Sequence, residues 1–187
     1  MLIRLGVKKM ENVYQLIEKY VKLTYVVKIL TGHCSKSDDF NTNLSNIDFS
    51  QLGLSDDILK IIGPNPDVKR LKSFITVFER LADMTSMEVF GPLSTLEHEE
   101  KLQIKDYLED KVSTYLTAIN NYQETYLGIV FEIDEACKED NKDKVRELGK
   151  LAKKNYNKIY EYTVYSQTYS NLACYFKGML GGILSYK

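Results

Sequence analysis

The C-terminal half of the chain carries a regular spacing of residues, alternately three and four positions apart, over two helix-length stretches. This spacing returns each residue to one side of an α-helix and so predicts two amphipathic helices. We call these residues the seam. They are Leu108, Val112, Tyr115, Ile119, Tyr122, Tyr126, Ile129, Ile133 and Ala136, followed by Leu148, Ala152, Asn155, Ile159, Tyr162, Ser166, Tyr169, Ala173, Phe176, Leu180 and Ile183.

Only the polar segment from Lys138 to Asp143 separates the two stretches. A connection this short makes consecutive helices antiparallel neighbours. The sequence therefore predicts a long helical hairpin with helices over 94–139 and 142–186. Facing residues then have numbers that sum to about 281, so that Tyr115 lies opposite Ser166 and large side chains oppose small ones.

The N-terminal half predicts shorter elements. Apolar periodicity indicates a helix over 7–31, and a run rich in Ser, Asp and Asn indicates a long loop over 33–54. A short helix over 55–62 and a helix over 66–89 follow, each ended by a Gly-Pro pair. We expect a single all-α domain over 1–187, an elongated helical bundle of four main helices and one short helix dominated by the hairpin.

The start and the middle of the first hairpin helix raise separate questions. Ser94-Thr95-Leu96-Glu97 has the form of a capping box, which predicts a helix start there. Asn120, Asn121 and Gly128 are weak helix formers that lie off the seam. They leave open whether this helix is continuous or kinked.

Composition limits the function classes. The chain has 25 Lys and Arg against 26 Asp and Glu, so its net charge of -1 creates no general attraction for polyanions. It has no signal peptide and no apolar run of membrane-spanning length, which predicts a soluble, cytoplasmic protein without a transmembrane segment. The absence of Trp beside 14 Tyr is typical of AT-rich genomes and leaves a microbial, viral or mobile-element origin open.

The cysteines Cys34, Cys137 and Cys174 are odd in number and form no C-x-x-C pair. This argues against a disulfide framework and against a thiolate zinc site. No phosphate-binding loop or nucleophile motif is present either. We therefore predict that the protein is not an enzyme and has no cofactor.

Carboxylate pairs provide the one candidate for metal chemistry. Glu97 with Glu100, and Glu132 with Glu135, lie one helical turn apart, the spacing with which helical hydrolases hold magnesium. On one helix the two pairs are about 48 Å apart, too far to share an ion. His98, between acidic residues, has no second ligand at a metal-binding spacing. A carboxylate-metal hydrolase is thus the least favoured reading.

A basic stripe follows the turn of the hairpin, with tyrosines interleaved. Such residues can hold phosphates and stack on bases, which makes nucleic-acid binding an alternative function. The competing interpretation is a solvated helix face, partly paired with nearby acidic residues, and it is favoured because no nucleic-acid-binding fold signature accompanies the stripe. The surface comprises Lys142, Lys144, Arg146, Lys150, Lys153, Lys154, Tyr156, Lys158 and Tyr160.

The most apolar segment is the tail, LACYFKGMLGGILSY, which contains Gly178-x-x-x-Gly182. Small residues at this spacing let helices approach closely. The segment is either a packed terminal helix or an association surface that could form a homo-oligomer. The residues of that surface are Phe176, Gly178, Met179, Gly182 and Ile183.

These observations favour a non-enzymatic protein-protein interaction module that acts through exposed helix faces. An adaptor, an inhibitor or an assembly subunit would each fit, because long amphipathic helices are effective docking surfaces. The identity of the protein partner is not encoded in the pattern.

Overall fold

The computed structural model describes residues 2–31, 48–52, 56–63, 68–91 and 96–184. Within these residues the backbone forms helices and turns and no strand, which confirms the all-α class. In chain order the elements are α1 (Leu2–Leu30), a 3₁₀ helix (Phe49–Leu52), α2 (Asp56–Ile62), α3 (Val68–Lys72), α4 (Ile75–Phe90), α5 (His98–Lys138) and α6 (Lys142–Leu184).

The chain divides into two compact units. The first consists of Met1–Lys105 together with Phe176–Lys187, and the second is Asp106–Tyr175. The second unit is the greater part of the predicted hairpin. Of the loop predicted over 33–54, the structure describes only the end, which contains the 3₁₀ helix, and the remainder lies outside the described residues.

In the first unit, α1 packs mainly against α4, and also against α3 and the 3₁₀ helix. Met10, Val13, Ile17 and Val21 are buried at helical spacing, as an amphipathic helix requires. Towards the end of α1 the buried surface widens, and five of the eight side chains from Leu23 to Leu30 are buried. This wider core comprises Leu23, Tyr25, Val26, Ile29 and Leu30.

The short helix α2 ends where the Gly-Pro pair predicts. Gly63 has a φ of 74°, and its N–H donates to the carbonyl of Leu59 at 2.9 Å. A residue with a Cβ is strained in this left-handed region, whereas glycine is not. Gly63 therefore stops the helix through backbone geometry.

The helix predicted over 66–89 is interrupted between α3 and α4. The N–H groups of Ser73 and Phe74 donate to carbonyls three residues back, those of Arg70 and Leu71. The Ser73 hydroxyl also donates to the Arg70 carbonyl, at 2.6 Å. Serine hydroxyls compete in this way with helical hydrogen bonding, and the tighter pattern breaks one helix into two.

The start of α5 also differs from its prediction. The helix begins at His98, and the N–H of Glu97 donates to the Glu100 carboxylate at 3.0 Å. This is the reciprocal half of a capping box, one turn later than the box expected at Ser94. Ser94 itself lies outside the described residues.

Helix α5 is continuous from His98 to Lys138. Asn120, Asn121 and Gly128 are exposed, as their positions off the seam predicted. Because they face solvent, their weak helix propensity lowers stability without opening the hydrogen-bond ladder. The hairpin is therefore built from two long, uninterrupted helices.

Ring contacts between α5 and α6 fix the register of the hairpin. Tyr115 lies 5.3 Å from Tyr165 and Tyr126 lies 6.3 Å from Tyr156, between ring centroids. The numbers in these pairs sum to 280 and 282. Over the six ring pairs that join the two helices in the described residues the sums run from 276 to 284 and average about 281, which agrees with the expected register. The hairpin is antiparallel, as predicted.

Candidate functional site

The turn of the hairpin is built by local hydrogen bonds. The N–H of Asn141 donates to the Ala136 carbonyl at 2.9 Å, and that of Asp140 to the Cys137 carbonyl at 3.1 Å. This pair of bonds is a Schellman motif, with Asp140 in the left-handed region at φ 48°. The Asn141 side chain then accepts the Lys144 N–H at 3.1 Å and caps α6.

The seam beyond the turn is aromatic. Tyr115 contacts three rings of α6 at centroid distances from 5.3 to 5.7 Å, those of Tyr162, Tyr165 and Tyr169. Tyr122 adds a contact of 5.6 Å with Tyr162. Burial raises the pKa of Tyr162, and Lys158 opposes that rise. The ring contacts therefore join the two helices, and burial favours the neutral phenol of Tyr162.

Two buried polar residues on or beside the seam make hydrogen bonds within their own helix. Asn155 donates to the Leu151 carbonyl at 3.0 Å. Thr168, buried beside the seam, donates to the Val164 carbonyl at 2.8 Å. Local bonds of this kind allow small polar groups to be enclosed without an unpaired donor.

The predicted basic surface lies on one helix, and most of it is solvent-exposed. Within the described part of the chain, no ion pair involves Lys144, Arg146, Lys150 or Lys154. The Lys142 Nζ lies 3.9 Å from the Asp140 Oδ1. Lys153 is half-buried. These basic side chains thus lie along α6, beginning at the turn of the hairpin.

Three other residues of the basic surface contact side chains of their own hairpin or are half-buried. Lys158 pairs with Glu161 at 2.8 Å and lies 5.5 Å from the centre of the Tyr162 ring. Burial lowers the pKa of Lys158, but the hydrogen bond and charge of Glu161 outweigh it and the pKa is raised. Tyr156 is exposed, although its ring contacts Tyr126, and Tyr160 is half-buried.

Helix α5 contributes the opposite charge beside this surface. Lys138 pairs with Asp134 at 2.7 Å and with Glu135 at 2.8 Å. The hydrogen bonds to these carboxylates raise the pKa of Lys138. Glu132 is exposed. Acidic residues therefore follow α5 towards the turn while basic residues follow α6 away from it.

The outer surface of α5 also exposes large apolar side chains that sequence reasoning missed. Leu116, Leu127, Val130 and Phe131 are 50%, 55%, 40% and 72% exposed. Leu116, Leu127 and Val130 each directly follow a seam residue, so in the sequence they resemble a wider seam. Phe131 lies two positions from both Ile129 and Ile133. The available signal was Ile129-Val130-Phe131, three apolar residues in a row where a two-helix seam can bury only one.

The predicted tail surface is only partly available. Phe176 is fully buried and Leu180 nearly so. The burial of Phe176 favours the packed terminal helix over the association surface at this residue. Gly178 is exposed and Met179 half-buried. The surroundings of Gly182 and Ile183 lie outside the described residues.

The carboxylate pairs do not form a metal centre. No group of three or more His, Cys, Asp or Glu residues converges anywhere in the described ranges. Glu97 and Glu100 are used in the cap of α5, while Glu135 pairs with Lys138. Cys137 and Cys174 are exposed free thiols, and Cys34 lies outside the described residues.

An open depression of about 540 Å³ lies in the first unit, between the 3₁₀ helix and α2. Asp48 and Asp56 line it. The Asp48 carboxylate accepts the backbone N–H and the hydroxyl of Ser50, so it shapes the local turn. The depression brings together no catalytic arrangement.

No helix in the described ranges combines the length and apolarity needed to cross a membrane. No family model, curated protein or solved structure matches the chain. The candidate site is therefore defined by geometry alone, as the exposed apolar residues of α5 and the charged helix faces beside them.

Proposed function

We propose that the protein is a non-enzymatic interaction module whose hairpin binds a protein partner through the exposed face of α5. The observation that carries this proposal is the exposure of Leu116, Leu127, Val130 and Phe131. From Ser113 to Phe131 the helix contains a single charged residue, Glu124. Contiguous apolar surface of this kind marks interaction sites in soluble proteins.

The geometry of the face suits a docking site. Leu127, Val130 and Phe131 are separated by three and four positions or are adjacent, so they form one cluster within a turn of helix. The ring contacts of the seam hold α5 in place before any partner arrives. A rigid, preformed face loses little conformational entropy on binding, which favours affinity. An adaptor, an inhibitor or an assembly subunit would use such a face.

The test is site-specific photo-crosslinking in the native cell. A photoreactive amino acid at position 131 is compared with the same group at position 150, an exposed site on α6. We expect a discrete crosslinked protein from position 131 and none from position 150. Phe131→Asp, with an unchanged helical circular dichroism spectrum, should abolish co-purification of the same protein. Equal crosslinking from both positions, or none from position 131, contradicts the proposal.

A second candidate function is nucleic-acid binding by the basic surface of α6. It is favoured by the exposure of Lys144, Arg146, Lys150 and Lys154 without an ion pair in the described residues. Four phosphate contacts predict that log K falls with log salt with a slope of about -3 to -4. Fluorescence anisotropy with single-stranded and duplex probes measures this slope. Lys150→Gln with Lys154→Gln should reduce it by about half, whereas salt-independent or absent binding excludes this function.

A further inference from the structure

Each helix of the hairpin carries a second stripe of residues, one position after the seam and with the same three-four spacing. We call these the outer stripes. From Leu116 to Asp134 on α5 every member is exposed. On α6 the seam spacing continues through Val145 towards the turn, and from Lys142 to Gln167 all members but Lys153 and Tyr160 are exposed. The outer stripe of α5 is Leu116, Asn120, Gln123, Leu127, Val130 and Asp134, and that of α6 is Lys142, Arg146, Gly149, Lys153, Tyr156, Tyr160, Thr163 and Gln167.

The two outer stripes share one side of the hairpin. In an antiparallel helix pair, positions with the same offset from the seam lie on the same side, because a two-fold axis relates the helices locally. The opposite side, one position before the seam, carries Glu132 and Glu135 on α5 and Lys144 and Lys154 on α6. The side with the outer stripes is thus the more apolar and aromatic of the two.

We infer that this side binds a second copy of the chain and forms a four-helix bundle with two-fold symmetry. The inference rests on the proposed function and names its partner. A two-fold axis parallel to the helices sets α5 of one copy antiparallel to α6 of the other, with both turns at the same end. Every neighbouring pair of helices is then antiparallel, as in up-and-down bundles, and the register near 281 applies between copies as well.

At this register the side chains of the two copies are complementary. Leu127 reaches the level of Lys153 and Tyr156 of the second copy, and Val130 lies beside its Gly149. Gly149 is exposed, and no atom lies within 4 Å of the position that a Cβ would occupy. An apolar side chain can therefore approach the backbone closely.

The charges of the two helices are also complementary. Residues 124–140 contain six acidic residues and one Lys, a net charge of -5, and residues 142–158 contain seven basic and two acidic residues, a net charge of +5. Asp134 lies at the level of Arg146 of the second copy, and Arg146 makes no ion pair within the described part of its own chain. Pairing α5 with α6 between copies joins opposite charges at both interfaces, and this complementarity specifies the orientation.

The available area suits a dimer. From Leu116 to Asp140 the helix is about 36 Å long, and two helices side by side are about 20 Å wide. The projected area, about 700 Å², is close to the roughly 800 Å² that each partner of a standard protein interface buries.

Sedimentation velocity measures the association directly. We expect the average mass of the full chain to rise from 21.6 kDa towards twice that value with concentration. Leu127→Lys should weaken dimerisation about tenfold or more, since it places a positive charge at the level of Lys153 of the second copy. Leu151→Lys is the matched control, because Leu151 is 46% exposed at a similar level on the opposite side. A wild-type chain that stays monomeric at several hundred micromolar, or equal effects of both variants, overturns the inference.

A charge exchange tests the orientation. Asp134→Arg and Arg146→Asp should each weaken self-association, since each places like charges together at both interfaces. An equimolar mixture should restore the dimer, because both interfaces of the mixed species again join Asp with Arg. Failure of the mixture to associate more tightly than either variant overturns the proposed geometry.

Photo-crosslinking at position 127 in cell extract separates this inference from the proposed function. A product with twice the chain mass supports the second copy as the partner. A product with another protein leaves the proposed function standing and overturns the dimer. No product from this face contradicts both.

Discussion

The two units of the molecule bury different kinds of side chain. In the first unit, Ile17, Leu23, Ile29 and Phe78 are completely enclosed. Along the hairpin, half-buried tyrosines such as Tyr115 and Tyr162 share the seam with buried small residues, Ala152, Asn155 and Ser166. The first unit thus has an apolar core, and the hairpin has a narrow aromatic seam.

The difference shows what two helices alone can bury. A single pair of helices has no third layer, so the sides of its seam stay open to water. Tyrosine suits this position because its ring packs while its hydroxyl reaches solvent. Units of this kind also differ in local stability, and amide hydrogen exchange can follow each of them separately.

The largest expected loss of stability comes from a substitution in the apolar core of the first unit. Phe78→Ala removes a completely buried ring that lies 6.3 Å from Phe49, and it should cost about 3 to 5 kcal/mol. Hydrogen exchange should show the loss in α1 and α4 first. Phe78→Leu is the control and should cost less than about 1.5 kcal/mol. An equal loss of protection in residues 106–175 would contradict the division into two units.

A substitution in the seam should cause the next largest loss of stability. Tyr115→Ala removes three ring contacts and should cost about 2 to 3 kcal/mol, because the ring is only half-buried. The loss of protection should be confined to the hairpin. Tyr115→Phe keeps the rings together and should change protection little. If Tyr115→Ala also has no effect, the rings do not hold the helices together.

Enlarging a small seam residue should have a smaller cost. Ala152 is 9% exposed and lies at the register level of Ile129. Ala152→Leu therefore overpacks the seam and should lower the free energy of unfolding by about 1 to 2 kcal/mol. Urea denaturation followed by tyrosine fluorescence measures the change. Lys150→Leu, on the exposed outer face, serves as control and should be nearly neutral. A neutral Ala152→Leu would indicate that the seam opens easily at that level.

The turn of the hairpin should contribute less to the free energy of unfolding than the core of the first unit or the seam. Asn141→Ala removes the cap of α6 and should cost about 1 kcal/mol. Asn121→Ala, at an exposed position inside α5, should instead stabilise the helix slightly because Ala is the better helix former. Opposite signs in thermal denaturation support the assigned cap, whereas equal signs contradict it.

The smallest effect is a dependence on alkaline pH. Burial raises the pKa of Tyr162, so the unfolded chain releases this phenolic proton first. The stabilisation is fully present below the ordinary pKa of 10.0 and is lost as pH rises through the higher folded value. Burial raises the pKa of Tyr14 as well, so absorbance of tyrosinate should show late-titrating groups that include both residues, and Tyr162→Phe should remove one of them. Titration of all tyrosines together at the ordinary pKa would exclude this protection.

The hairpin was predictable because its causes are local in sequence. The seam spacing fixes two helices, and a short polar connection leaves one antiparallel register. The interruption at Ser73 and the cap at Glu97 were not predictable in the same way. Each depends on which of several nearby hydrogen bonds forms, and the alternatives differ little in free energy.

The candidate site was only half predictable. The basic surface follows from charge spacing, although the pairing of Lys158 with Glu161 depends on burial that spacing does not reveal. The exposed Leu127 and Val130 were missed because apolar residues beside a seam are indistinguishable in sequence from residues within it. Only the number of helices packed on a face decides which of them are covered.

The division of the first unit between two chain segments has a kinetic consequence. Residues 2–30 and Phe176 belong to the same unit but are separated in the sequence by the entire hairpin. The hairpin needs only contacts across its turn, which form at low loop-closure entropy and therefore quickly. During synthesis α1 and α4 can meet early, yet their unit is completed only after α6 has been made. Completion of the first unit therefore follows synthesis of the hairpin, whose own contacts are local in sequence.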